Sequence, residues 1–111
     1  MRSINSLAQK LFFARQGENG LRSLTIDVSP WLQQAPGLTI TVAAVRPTEA
    51  TAYIPANVVV EDGVLTWTAD TIDTAIPGTG LMLVRGTDTD GNVIKSAQSS
   101  FVIEPAFDDT T

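Results

Sequence analysis

From residue 21 onward the chain alternates apolar and polar residues with a period of two, and this confines it to half-buried β-strands. Leu24, Ile26 and Val28 alternate with Ser23, Thr25 and Asp27. Leu38, Ile40, Val42 and Ala44 alternate with Thr39, Thr41 and Ala43, and Leu65, Trp67 and Ala69 with Thr66 and Thr68. Successive side chains of a strand point to opposite faces, so such a run gives one face to a core and one to water. The runs are rich in Val, Ile and Thr, whose branched side chains suit a pleated surface.

Turn residues cut these runs into short pieces. Pro36-Gly37 precedes the run 38–46, Arg46-Pro47 closes it, and Pro55 follows the short run 52–54. Asp62-Gly63 separates 58–61 from 64–69, and Asp90-Gly91 separates 81–88 from 92–103. Asp-Gly supplies the two positive φ angles of a type I′ hairpin turn. With Asp62-Gly63 as a two-residue loop, Val60 pairs with Leu65 and Val58 with Trp67. The stretch Asp70 to Pro77 is expected to form a helical turn capped by Asp70, which carries the chain from one sheet to the other ahead of Gly78 and Gly80. Seven to eight short strands in 111 residues predict an all-β fold, an antiparallel immunoglobulin-like β-sandwich. The length suits one domain with a core large enough to fold without staples.

The first fourteen residues fit two descriptions. Ile4, Leu7, Ala8, Leu11 and Phe12 have the spacing of a helical face, and Leu11–Arg15 also suits a first strand. A short N-terminal arm or helix leading into a strand is expected. This divides the chain into an arm at 1–14, a sandwich at 15–106 and an acidic tail at 107–111. The net charge is −5, distributed as +3 up to residue 22 and −8 beyond it. A basic arm on an acidic body suits head-to-tail docking on a neighbour, and a solvated terminus accounts for the same charges. The partner-binding candidates are Ile4, Leu7, Leu11 and Phe12 on the arm, with Arg15 and Trp31. On this division, deleting residues 2–10 leaves a folded domain that associates more weakly.

Catalytic chemistry finds little to work with. The chain has no cysteine and no histidine, which removes disulfides, thiolate metal sites and the commonest general base. Asp70 and Asp73 have the look of an acid/base pair, but capping and turn chemistry accounts for both. Asp88-Thr89-Asp90-Gly91-Asn92 opens like a calcium loop, yet the position that needs a bidentate Glu is Ser99. Gly78-Thr79-Gly80 lacks the Lys-Ser/Thr of a phosphate loop. Arg15-Gln16-Gly17-Glu18-Asn19-Gly20 is a binding loop or a plain turn. Trp67, in phase with Leu65 and Ala69, belongs to the core. Trp31, after Pro30, either plugs the end of the sandwich or offers an exposed ring to a sugar or a partner. No catalytic residue, metal ligand or cofactor is expected. The acidic balance argues against nucleic acid as a partner, and no apolar run approaches the roughly 20 residues of a membrane helix. Ile4 to Phe13 is broken by Asn5, Ser6, Gln9 and Lys10, so the start lacks the apolar core of a secretory signal.

Four stretches carry a resemblance to a family. They are Arg15–Asn19 (RQGEN) ahead of LRSLTIDVS, Val45-Arg46-Pro47 ending a long run, Gly63–Thr68 (GVLTWT) with Asp73-Thr74-Ala75 and the following Gly78 and Gly80, and Asn92–Ser96 (NVIKS) before FVIEP. Over residues 11–106 the chain resembles β-sandwich proteins of tailed phages, similar to the N-terminal domain of phage upper baseplate proteins and to related fibre and head-decoration modules. The resemblance implies a non-enzymatic virion component that attaches appendages to a head or baseplate. It implies other virion proteins as partners, a homo-oligomer with a trimer foremost, synthesis in the cytoplasm of a host bacterium, and no catalytic residues. Fibre proteins of this kind continue into coiled-coil, collagen-like or receptor-binding parts that are not in this sequence. The alternative function is a carbohydrate-binding module for a bacterial or host surface glycan. The low aromatic content, 6%, weighs against it.

Overall fold

In a computed structural model that describes residues 2–7 and 10–106, the alternating runs are strands of two sheets packed face to face. The elements in chain order are β1 (Arg2–Ser3), a 3-10 turn (Ile4–Ser6), β2 (Leu11–Arg15), β3 (Ser23–Asp27), α1 (Ser29–Gln34), β4 (Thr39–Val45), β5 (Val58–Glu61), β6 (Val64–Thr68), β7 (Gly78–Thr87), β8 (Val93–Lys95) and β9 (Ser99–Glu104). The first sheet has the order β1-β3-β6-β5. The second has the order β2-β9-β7-β4, with β8 also paired to β7. The chain is therefore the all-β, immunoglobulin-like sandwich that its alternation predicts.

Two details differ from expectation. The pairings are antiparallel except at two edges, where β1 runs parallel to β3 and β2 parallel to β9. Nine strands stand among the described residues. Arg2–Ser3 adds a short edge, and the run 92–103 breaks in two. The break has a local cause: the backbone of Val84 exchanges partners with Ser96, donating to its Oγ and accepting from its N–H, both at 2.9 Å. That bends the chain out of the β8 ladder before β9 begins.

The hairpin at Asp62-Gly63 forms as the dipeptide demands. Its φ angles are 51° and 76°, and Val58 pairs with Trp67 and Val60 with Leu65. The turn after β6 likewise crosses between the sheets, with the Thr71 and Thr74 amides bonded to the side chain and carbonyl of Asp70. Trp67 is fully buried. Its ring lies 4.5 Å from that of Phe13 and 5.4 Å from that of Phe101, which stand 5.9 Å apart. These three rings from β6, β2 and β9 join the sheets at the centre of the core.

The N-terminal division requires correction. Ile4, Leu7 and Leu11 are at most 5% exposed and belong to the core with Phe13 and Ala14, so the sandwich begins at Arg2 and the boundary at residue 14 falls inside β2. The helix-like spacing has another origin. The segment pairs with the first sheet at Arg2–Ser3 and with the second at Leu11–Arg15, and Ile4, Leu7 and Leu11 turn inward. An arm with a spare apolar face is not what these residues form. The acidic tail 107–111 lies outside the described residues.

Candidate functional site

The six residues singled out in the sequence do not converge on one site. Ile4, Leu7 and Leu11 are core residues, and nothing of them is offered to a partner while the segment is docked. Phe12 pairs through its backbone with Val102, and its side chain lies outside the described residues. Arg15 stays half exposed and forms an ion pair with Glu104 at 3.0 Å. Trp31, on α1, is 7% exposed, so it plugs the end of the sandwich. It lies over Gly86, beside Leu38 and Ile94.

The polar signature residues meet at one corner instead. Asp73, 1% exposed, accepts three hydrogen bonds: from Tyr53 Oη at 2.6 Å, Trp67 Nε1 at 3.1 Å and the Asp70 amide at 3.0 Å. Burial, reinforced by the Asp73 carboxylate, raises the Tyr53 phenol far above its ordinary pKa. Arg46 lies over the Tyr53 ring at 5.8 Å to its centroid, is held by both carboxylate oxygens of Glu49, and donates to the Ile72 carbonyl at 3.2 Å. The loop after β2 docks alongside. Thr74 Oγ1 donates to the Glu18 carbonyl at 2.9 Å, the Gly17 amide to the Thr74 carbonyl at 3.3 Å, and Gln16 Nε2 to the Ala75 carbonyl at 3.3 Å. Thus hydrogen bonds join RQGEN to DTA, and Arg46 of VRP reaches the same turn at the Ile72 carbonyl. The sequence placed Asp73 in turn chemistry and missed its reach into the core. A core Trp needs an acceptor for its indole N–H, and that need was the available signal.

Other carboxylates are also engaged in holding loops. Asp88 Oδ1 accepts from the amides of Asp90 and Asn92, and its Oδ2 from Asn92 Nδ2. The bonds from Asn92 hold its carboxyl below the usual range. Glu18, lowered first by the Arg15 amide and then by the Arg22 side chain, ties the β2–β3 loop. Among the described residues no group of three or more His, Cys, Asp or Glu side chains is placed to hold a metal.

Two surfaces among the described residues stand out as places where something can bind. The first is a groove of about 320 Å³ between α1 and the β7–β8 loop, floored by Trp31 and Leu38 and edged by Gln34, Asn92, Val93 and Ile94. The second is the outer face of the second sheet, and it contrasts with the outer face of the first. On the first sheet the outward positions include the opposed pairs Ser23–Thr68 and Thr25–Thr66, with Val59, 53% exposed, opposite Thr66 on β5. On the second sheet Ala43 opposes Leu83 and Val45 opposes Leu81, with Val102 on the neighbouring β9. Leu81 is 44% exposed. One end of this face carries Arg85 directly opposite Lys95. Like charges in that position repel, and neither enters an ion pair among the described residues.

No protein-family model matches the chain, and no curated protein matches it. Among solved structures the chain is similar to CopC from Methylosinus trichosporium OB3b, at 13% identity and a TM-score of 0.47, over 93% of this chain and 89% of that one.

Proposed function

We propose that this domain is a non-enzymatic structural component of a tailed-phage virion, a fibre anchor, baseplate or head-decoration module that works by protein–protein binding. The observation that carries the proposal is the apolar outer face of the second sheet. Ala43, Val45, Leu81, Leu83 and Val102 form an outward apolar cluster that a partner can cover, bounded by two cations without an ion pair among the described residues, which favour an acidic counterpart. The sequence motifs behind the phage resemblance support it, because RQGEN, VRP and DTA meet at the turn that holds Asp73. Its partners are other virion proteins and further copies of itself, with a trimer foremost, and it is made in the cytoplasm of the host bacterium. Glycan binding is the weaker reading, since Trp31 at the floor of the groove leaves little ring face for a sugar to stack on.

The test uses particles of the phage or prophage that encodes the chain. Quantitative mass spectrometry of purified particles is expected to find the chain at a fixed copy number. Leu81→Glu with Leu83→Glu, changes at outward positions, is expected to leave the fold intact and remove the chain from particles. A chain absent from wild-type particles overturns the proposal.

A further inference from the structure

We propose that two copies of this chain pair through the free edge of β5, antiparallel about a twofold axis at Val59, so that their first sheets join into one. This goes beyond the reading above, which concerns the outer face of the other sheet.

The first support is how the sheet edges differ. A free edge offers unpaired N–H and C=O groups to any extended strand, and proteins blunt such edges with cations, bulges, covering segments or extreme shortness. The other edges here carry these devices. β1 has two residues, and β2 breaks its register between Phe12 and Ala14. β4 is covered at Ala44, which exchanges hydrogen bonds of 2.8 and 2.9 Å with Tyr53. β8 carries Lys95, with Arg85 opposite. β5 has no cation, no proline and no bulge, and its one charge, Glu61, stands at the turn. No strand pairs with its outer side among the described residues.

Hydrogen-bond phase is the second support. The Thr68 amide donates to the Asn57 carbonyl at 3.0 Å. Asn57, Val59 and Glu61 therefore direct their backbone groups at β6, and Val58 and Val60 direct theirs outward. An antiparallel copy of the same strand, centred on Val59, sets Val58 against Val60 of the copy and Val60 against its Val58. These two pairs exchange four backbone hydrogen bonds and use every outward group of Val58 and Val60.

The side chains fit the same register. Val58 and Val60 are partly buried against the core, so on the inner side valine meets valine and the apolar layer runs on from one sandwich to the next. On the outer side Val59, 53% exposed, meets itself, and Glu61 meets Asn57. These are non-hydrogen-bonded pairs, whose side chains approach most closely. Glu61 enters no ion pair among the described residues, and here it gains a carboxamide donor. A parallel pairing in register sets Glu61 against Glu61, and like charges directly opposite repel. The strand is complementary to itself, as a twofold contact requires.

Because the chain has no cysteine, Val59→Cys reports the contact directly. At the axis the two Cα atoms stand about 4.5 Å apart, a separation that a disulfide accepts. Oxidised Val59→Cys is expected to run as a covalent dimer on a denaturing non-reducing gel. Thr25→Cys, exposed on the same sheet, is expected to stay monomeric under the same conditions. Equal cross-linking of the two variants, or none at Val59→Cys, overturns the pairing. Charge at the axis gives a second measurement without oxidation. Val59→Lys and Val59→Glu are expected to keep the circular dichroism of the wild type and to lower its dimer fraction several-fold in sedimentation, and mixing the two is expected to restore dimers. A mixture no more associated than its components overturns the contact, as does a wild-type chain that stays monomeric at high concentration. These measurements use isolated chains and the sheet opposite Leu81 and Leu83, so their failure leaves the virion assignment to the particle experiment.

Discussion

Asp73 shows how much one side chain can hold. It satisfies the indole of Trp67, the phenol of Tyr53 and the amide that opens the β6–β7 turn. Asp73→Ala leaves three donors without an acceptor, at about 1–3 kcal/mol for each one buried. Only the Trp67 indole bond is fully buried, so the expected loss is about 1–3 kcal/mol by urea denaturation, with loss of the near-ultraviolet dichroism of Trp67. Tyr53→Phe removes one donor and keeps the ring beneath Arg46, and the expected cost is smaller, about 1–2 kcal/mol. Tyr53 is the only tyrosine, so absorbance at alkaline pH follows it without ambiguity. Its folded pKa is raised above the ordinary 10.0. A raised pKa contributes stability that is complete below the unfolded value and declines as pH rises above it. The melting temperature should therefore fall above about pH 10, phenolate absorbance should appear together with unfolding, and Tyr53→Phe should flatten that decline. A phenol that ionises in the folded protein near its ordinary value would contradict the buried hydrogen bond to Asp73. At the acid end the depressed carboxyls of Glu18, Asp27 and Asp88 work in the opposite sense, with stability lost as pH falls through their range.

At the scale of elements, local grammar and long-range pairing part company. The Asp62-Gly63 hairpin was legible to the residue, because a type I′ turn with two residues fixes the register. Gly63→Ala is expected to destabilise, since its φ is +76° and the added Cβ meets Ser29 Cβ at 3.0 Å. Gly80→Ala is expected to cost more, about 1–3 kcal/mol from overpacking, because the new Cβ falls 2.4 Å from Phe101 Cζ and 2.6 Å from the Val45 carbonyl. Equilibrium denaturation of the two variants checks both. The strands 23–27, 39–45 and 64–68 were equally legible from alternation. The strand Leu11–Arg15 was legible as one of the two readings of the N-terminal stretch, but the docking of Arg2–Ser3, Ile4 and Leu7 was not, because parallel pairing with β3 and β9 leaves no local signature. The groove and the two outer faces were invisible for the same reason: they depend on which strands become neighbours. The docked segment also reverses the expectation for its deletion. Burying Ile4 and Leu7 contributes about 1.5–3 kcal/mol each, a large share of the roughly 5–15 kcal/mol that holds a domain together. Removing residues 2–10 is expected to lower the melting temperature by more than 10 °C or to unfold the chain. A truncated chain with unchanged melting would put the segment back outside the core.

For the whole molecule, the two sheets present different outer faces, each with hydroxyl and apolar positions, and this makes the sandwich two-sided. Leu81 and Leu83 lie on one side, and Thr25, Thr66 and Thr68 on the other. Thr66→Glu is expected to be neutral within about 0.5 kcal/mol, as at an ordinary surface position, and to leave incorporation into particles unchanged. Loss of incorporation comparable to that from Leu81→Glu with Leu83→Glu would show that the side of the sandwich does not matter. The β2–β9 pairing has a consequence in time as well as in space. Leu11 leaves the ribosome about ninety residues before its partner Phe101. At roughly 5–20 residues per second that is on the order of ten seconds. Throughout that interval β2 of a nascent chain has no β9 of its own to pair with. β9 is the strand that admits β2, and a chain released before Phe101 is made cannot complete that pairing.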